Sequence, residues 1–258
     1  MSSTPIRLTY IGGPTLLLEV GGLRFLTDPT FDPPGGEYRS PASVLRKTQG
    51  PALSAESLGP VDVVLLSHDH HFDNLDTIGR AIITSARRVL TTTAGAERLG
   101  SGAVGLSPWQ SVGFATPGGH LCRVTATPAR HGPAGGDRGP VIGFVLSLAD
   151  RPDRAVYVSG DTVWYEEVEA VSRRFSIGVA VLFMGAARVS AAGPAHLTMT
   201  AAEGVIAARA FAKATIVPVH FEGWEHFSES RQDIQSAFAA AGLEQRVRWL
   251  TPGIPEEI

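Results

Sequence analysis

Cysteine is nearly missing from this chain: Cys122 is the single one among 258 residues. An internal disulfide is therefore impossible and a cysteine-built structural zinc site is excluded, so stability must come from packing. Leu121 and Val124 flank that cysteine, which points to a buried structural thiol, and no electropositive partner marks it as reactive. Apolar runs of about 18 residues or more are also absent. So is a charged N-terminal segment leading into a long apolar stretch. Together these set aside a helical membrane span and a secretion signal, and leave the cytoplasm as the expected location. Like charges form no block, and 22 basic against 25 acidic residues give a formal charge of −3. A dedicated nucleic-acid surface is not expected from that balance. No Gly-x-Ser-x-Gly elbow and no Gly-Lys-Ser/Thr loop occurs, which argues against serine hydrolases and nucleotidases. Internal repeats and low-complexity linkers are missing as well, so residues 1–258 read as one domain.

What is present belongs to an ordinary globular protein. Hydrophobic residues make up 43% and charged residues 18%, which excludes wholesale disorder. The 29 glycines and 18 prolines are spread along the chain and mark many turns between short elements. Ile6–Ile11, Thr15–Val20 and Leu23–Thr27 alternate in strand fashion around Gly-rich turns and predict two successive hairpins. The Pro/Gly-rich stretch Pro29–Gly36 then predicts an exposed loop. Helical spacing follows over Thr162–Arg174, Thr200–Ala214 and Ser228–Ala241, the last with Ser228 as its cap and Gly242 as its stop. Hairpins first and alternating strands and helices later suggest helices packed on a pair of sheets.

Four apolar runs share one property, which is that each leads to a histidine or an aspartate. Val61–Ser67 runs into His68, Arg123–Thr127 is soon followed by His131, Ala155–Ser159 by Asp161, and Thr215–Val219 by His220. If these strands point their carboxyl ends at one rim, His68, His70, Asp73, His131, Asp161 and His220 converge. Imidazoles and carboxylates are the donor set for zinc, and also for iron or manganese. In His68-Asp-His70, residues two apart on an extended chain project to one side and can serve one ion. The run Gly100-Ser-Gly102-Ala-Val-Gly105 matches a dinucleotide fingerprint letter by letter. A helix-like segment precedes it, however, where the fingerprint needs a strand.

Five motifs in order, Leu26-Thr-Asp28-Pro29, Ser67-His68-Asp-His70 with Asp73, His131 after Pro128-Ala-Arg130, Gly160-Asp161-Thr162, and Pro218-Val-His220, span most of the chain. This order resembles the metallo-β-lactamase superfamily. It is most similar to the bacterial branch that includes ascorbate-6-phosphate lactonase-like proteins. The resemblance implies an α/β four-layer αββα sandwich with a two-metal site at one edge. It also implies that His68, His70 and His131 hold the first ion, that Asp161 bridges, and that Asp73 and His220 hold the second. The chain departs from the family's His-x-His-x-Asp-His pattern, since it has one extra residue before Asp73 and places Asn74 where the third histidine belongs. His71 either turns inward to compensate or sits in solvent.

Further candidates are Asp28, expected to orient a ligand histidine or else simply to make a turn, and His196 and His226, each either facing the cleft or structural. The glycine run Gly132–Pro140 is a lid bringing Arg138 to an anionic substrate or a plain hairpin loop. The expected activity is metal-assisted hydrolysis of a small-molecule ester, lactone or phosphodiester by one or two divalent ions, with Asp73 orienting or deprotonating the water. The competing reading is a non-catalytic metal-binding or ligand-sensing protein. A di-iron oxidoreductase is disfavoured, because its pattern has glutamate where His70 stands and its flavin domain is missing. Neither a membrane nor a nucleic-acid partner is expected, and homo-oligomers remain open.

Overall fold

In a computed structural model, residues 5–40, 43–100 and 102–258 are described. The opening strands form as their alternation predicts: β1 (Arg7–Gly12), β2 (Thr15–Val20) and β3 (Leu23–Thr27) pair as antiparallel neighbours. A small ribbon follows, β4 (Glu37–Arg39) with β5 (Val44–Arg46). The chain then crosses to β6 (Val63–Leu65), helix α1 (Thr77–Ser85), β7 (Arg88–Thr92), helix α2 (Thr93–Leu99) and β8 (Ala103–Leu106). With the terminal strand β15 (Pro255–Glu257), these complete a seven-stranded sheet in the order β15-β1-β2-β3-β6-β7-β8. Gly100 therefore follows a helix and leads into a strand, the reverse of a dinucleotide fingerprint; its neighbour Ser101 lies outside the described residues.

The second sheet takes β9 (Ser111–Ala115), β10 (Leu121–Pro128), β11 (Ile142–Leu148), β12 (Arg151–Val158), β13 (Ile177–Phe183) and β14 (Thr215–Val219), with helices α3 (Glu166–Arg174), α4 (Ala201–Ala210) and α5 (Arg231–Ala240) between or after them. Its order is β14-β13-β12-β11-β10-β9. Leu8, Leu18 and Phe25 from the first sheet share one buried cluster with Phe144, Val156 and Val181 from the second. The opposite face of the second sheet buries Tyr157 and Leu182 with Val168, Val205 and Phe238 of the three helices. The outer face of the first buries Val64 and Leu66 with Ile83 of α1. Alternate strand residues thus face two different cores, which is what an αββα sandwich requires.

Several boundaries differ from the sequence reading. Residues 162–165 do not join α3, because Arg130 takes them: its N–H donates to Thr162 Oγ1 (3.0 Å) and its carbonyl accepts from Val163 N (2.9 Å). The cap of α5 is Ser230 rather than Ser228. Ser230 and Asp233 form a reciprocal capping box, while Ser228 donates its hydroxyl to Ala186 O at 2.7 Å. Helix α4 begins after Thr200, which caps it, but stops at Ala210, where the Arg246 guanidinium takes the carbonyls of Ala208, Phe211 and Ala214. The stretch Pro29–Gly36 is exposed only from Pro33 onward. Thr30, Phe31 and Asp32 are buried, and Asp32 accepts from Thr77 N and Ile78 N at the start of α1. Cys122 is buried, as expected.

Strand direction positions the site. Strands β3 and β6 are parallel. In the other sheet β12, β13 and β14 are parallel, and β10 shares their direction through two antiparallel steps across β11. The carboxyl ends of these strands collect at one rim, and the loops beyond them carry the chemistry. Gly160, between β12 and Asp161, has φ +60°, and a Cβ there would lie 2.6 Å from Ile142 O and 2.8 Å from Ser67 Cβ, a side chain from the other sheet. Gly160→Ala should lower the unfolding free energy by about 2 kcal/mol or more, read as a lower denaturant midpoint at unchanged slope. An unchanged midpoint would show that the two sheets are not wedged this closely.

Candidate metal centre

His68 stands three residues past the end of β6, held by a bend in the chain rather than by the extended strand that the His-x-His spacing suggests. Its Nε2 lies 2.9 Å from His71 Nδ1, and that same Nδ1 lies 3.2 Å from His131 Nε2. The extra residue in the loop therefore turns His71 inward. Asp161 continues the cluster, with Oδ2 3.4 Å from His131 Nε2 and 4.0 Å from His68 Nε2. Its other oxygen, Oδ1, is 3.3 Å from His220 Nε2, and His220 Nε2 is 3.6 Å from Asp73 Oδ2. Donor atoms group as His68, His70 and His71, as His68, His131 and Asp161, and as Asp73, Asp161 and His220. All six ligands expected from the sequence, and His71 with them, fall in these groups.

The donors suit a transition metal on two physical grounds. Around a tetrahedral ion with bonds near 2.0–2.1 Å, neighbouring donors sit roughly 3.3 Å apart, and the separations above scatter about that value. The ring tautomers also leave lone pairs aimed inward. His131 Nδ1 faces Leu197 O at 2.9 Å and His70 Nε2 faces Arg138 O at 2.8 Å. A carbonyl only accepts, so the proton sits on those outer nitrogens, and His131 Nε2 and His70 Nδ1 are free to coordinate. Buried atoms without a hydrogen-bond partner accumulate at the same place: His70 Nδ1, Asp73 Oδ1, Asp161 Oδ2 and His220 Nε2. Isolated buried polar atoms are costly, and cations held by these donor groups would give them partners.

Protonation follows burial and mutual charge. Burial pushes His68 well below its ordinary value, with the facing rings of His71, His70 and His131 adding to it. Burial also lowers His70 and drives His71 down to about 3. Imidazoles in that state are neutral donors at physiological pH. Burial alone would raise Asp73 and Asp161. Their histidine neighbours, His226 and His220 for the first and His220 and His131 for the second, more than reverse it and hold both carboxyls below the usual range. His220 moves the other way, since Asp161 and Asp73 outweigh its burial and raise it. It also adopts φ +55°. A left-handed backbone is strained for a non-glycine residue, and such strain concentrates at functional positions.

The remaining candidates divide. Asp28 is buried and pushed up to about 8 by that burial. Its hydrogen bonds go to Ser67 N (2.6 Å) and Asn74 Nδ2 (3.4 Å) instead of to a histidine ring, so it fixes the loop rather than orienting a ligand. Asn74 is also buried and points its amide nitrogen at Asp161 Oδ1 at 3.3 Å. His196 pairs with Glu203 at 3.0 Å beside the capping box of α4, outside the pocket wall. His226 does reach the site, with Nε2 3.0 Å from Asp73 Oδ2. The glycine run after His131 is tied down by Arg138 N to His131 O at 2.9 Å as well as by the His70 contact, and Arg138 lines the pocket.

Two struts escaped the sequence reading. Asp69, between the paired histidines, turns away from the centre and is clasped by Arg98 Nε (2.8 Å) and Nη2 (2.5 Å), while Arg80 donates to its carbonyl. Asp76 caps α1 and takes the buried Lys47 ammonium at 2.8 Å, linking the metal loop to the segment after β5. An aspartate before a helix is a recognisable capping signal, whereas the distant cations Arg98 and Lys47 carry no local signature.

Two stacked sheets with helices outside and a His/Asp cluster at the strand ends define a metallo-hydrolase type of architecture. The chain belongs to the beta-lactamase superfamily domain family, whose profile matches residues 23–221. A UPF0173 metal-dependent hydrolase of Pyrobaculum aerophilum is 25% identical over 96% of this chain and 98% of its own length. Another from Pelotomaculum thermopropionicum is 24% identical over 98% and 100%. Among solved structures, an isothiocyanate hydrolase from Delia radicum gut bacteria superposes with TM-score 0.82 at 21% identity, covering 98% of this chain and 99% of that one. A possible metal-dependent hydrolase from Veillonella parvula gives 0.81 at 23%, covering 99% and 100%. These similarities establish the fold. No helix among the described residues is long and apolar enough to cross a membrane.

The Asp69 clasp yields a pH prediction. Burial raises the Asp69 pKa, but Arg98 more than reverses it, so the folded value lies below the unfolded one of about 3.9. The stabilisation is complete above the unfolded value and disappears as pH falls through the folded one. Arg98 is half exposed, with 48% of its side chain accessible. Asp69→Asn should therefore cost only about 1 kcal/mol at neutral pH. Denaturant curves of the two proteins should converge as pH falls through the folded pKa, below the unfolded value, and a gap that persisted once Asp69 is protonated would disprove the electrostatic origin.

Proposed function

We propose that this metal-dependent hydrolase of the metallo-β-lactamase superfamily acts on a small-molecule ester, lactone or phosphodiester at the rim described above. The observation that carries the reading is the array of inward-facing, mutually unsatisfied donors at coordination spacing. His68, His70, His71 and His131 are assigned to a first divalent ion and Asp73 and His220 to a second, with Asp161 between them; zinc suits the set best, and manganese or iron are alternatives. A bound ion supplies Lewis acidity for the carbonyl or phosphoryl oxygen and acidifies water.

The chain's own residues do the rest. Asp73 lines the pocket, and its carboxyl, held ionised by His226 and His220, accepts a hydrogen bond from the attacking water and orients it. Arg138 stands at the wall as the cation for an anionic substituent, while Leu45, Val189 and Leu197 offer an apolar side. The free volume of about 40 Å³ in this pocket suits a small reacting group. Lactones of the ascorbate-6-phosphate type belong in the substrate panel, and so do simple esters and phosphodiesters, because the fold alone does not choose among them.

In a His68→Ala/His70→Ala protein, metal content and turnover should fall together, turnover by more than about 100-fold, measured by elemental analysis alongside the substrate panel. Retained turnover in the metal-free double variant would end the hydrolase reading. Full metal occupancy of the native chain with no turnover on any substrate would favour the metal-binding or ligand-sensing alternative.

A further inference from the structure

Where the resemblance places a histidine of the second ion, this chain has Asn74. Its amide nitrogen faces Asp28 Oδ2 at 3.4 Å and Asp161 Oδ1 at 3.3 Å, so the end of the amide turned to these carboxylates is the donor end, which has no lone pair for a cation, while its Oδ1 is buried without a hydrogen-bond partner. The second group holds Asp73, Asp161 and His220, and one further donor would close a tetrahedral set. We infer that His226, six residues beyond His220 and on a different loop from Asn74, replaces the missing histidine as the fourth donor to the second ion.

Four observations support this. His226 Nε2 lies 3.0 Å from Asp73 Oδ2, and the same oxygen lies 3.6 Å from His220 Nε2, so one carboxylate oxygen of the second group touches both imidazoles. The His226 side chain is only 8% exposed, and its Nδ1 has no hydrogen-bond partner. The ring is held from behind by Phe227, with centroids 4.5 Å apart, and its backbone carbonyl accepts from Arg188 N at 2.8 Å, which fixes the loop. His226 also lines the pocket together with His71, Asp73 and His131, whereas Asn74 is fully buried and does not line it. Without an ion, Nε2 leans on Asp73 alone. With an ion bound, Nε2 would be the coordinating nitrogen and the unpartnered Nδ1 would carry the ring proton. The other two histidines outside the site are engaged elsewhere, His196 with Glu203 and His120 with Asp150.

The inference rests on the two-ion reading proposed above, and metal counting separates the two. Zinc-loaded, desalted native protein should carry two ions per chain by elemental analysis and His226→Ala one, with unchanged thermal stability of the one-ion form showing that the fold survives. Cobalt substitution should lose the visible bands of the second ion in His226→Ala. Added imidazole should restore the second equivalent in His226→Gly by filling the cavity left by the ring. A residue that only positions Asp73 would weaken binding by about 10–100-fold without changing the cobalt spectrum at saturation. Two ions with native cobalt bands in His226→Ala overturn the inference, as does a native protein that binds one ion only, while both leave the hydrolase reading standing. A native protein that binds none removes both.

Discussion

Everything at the rim is arranged around one buried carboxylate. Asp161 is fully enclosed, its two oxygens face different clusters of imidazoles, and no lysine or arginine pairs with it among the described residues. A carboxylate in that position is stable only if something cationic sits beside it. The protein surrounds it with histidines, among which His70 and His131 have their outer nitrogens tied to carbonyls, so that the inner nitrogens face the centre. Such rings share a metal ion with the carboxylate better than they neutralise it themselves. Gly160, which lets the chain turn between β12 and Asp161 against the other sheet, is the backbone condition for this placement.

Much of the architecture was legible in the sequence because the strands are short, apolar and closed by a chemically distinctive residue. Thr15–Val20, Leu23–Thr27 and Thr215–Val219 form over the expected residues. The periodicity failed where long-range contacts claimed backbone groups that local propensity had assigned to a helix. Arg130 captures residues 162 and 163, and Arg246 ends α4. The burial of Thr30–Asp32 was illegible for a related reason. Their composition reads as a turn, yet α1 packs on them, and Gly79 brings its backbone against Pro29.

At the site, the positions His68, His131, Asp161 and His220 could be picked out because each comes after an apolar run, a one-dimensional signal of a three-dimensional rim, and His70 by its spacing from His68. The direction of His71 could not, since one inserted residue leaves a loop free to turn either way. Asp28 was read as a partner for a histidine or as a turn residue, and its carboxyl holds Ser67 N and Asn74. The anchors Arg98 and Lys47 had no sequence signal, because a clasp between residues tens of positions apart depends on the folded arrangement alone.

The rim also joins the two halves of the sandwich. His68, His70, His71 and Asp73 hang from the first sheet, while His131, Asp161 and His220 hang from the second. An ion held by both sets is a non-covalent cross-link in a chain whose lone cysteine rules out a covalent internal one. Its binding free energy would add to the cohesion of the sheets as RT ln(1 + [ion]/Kd), so metal supply would act as a stabilising ligand for the whole fold and not only for the reaction.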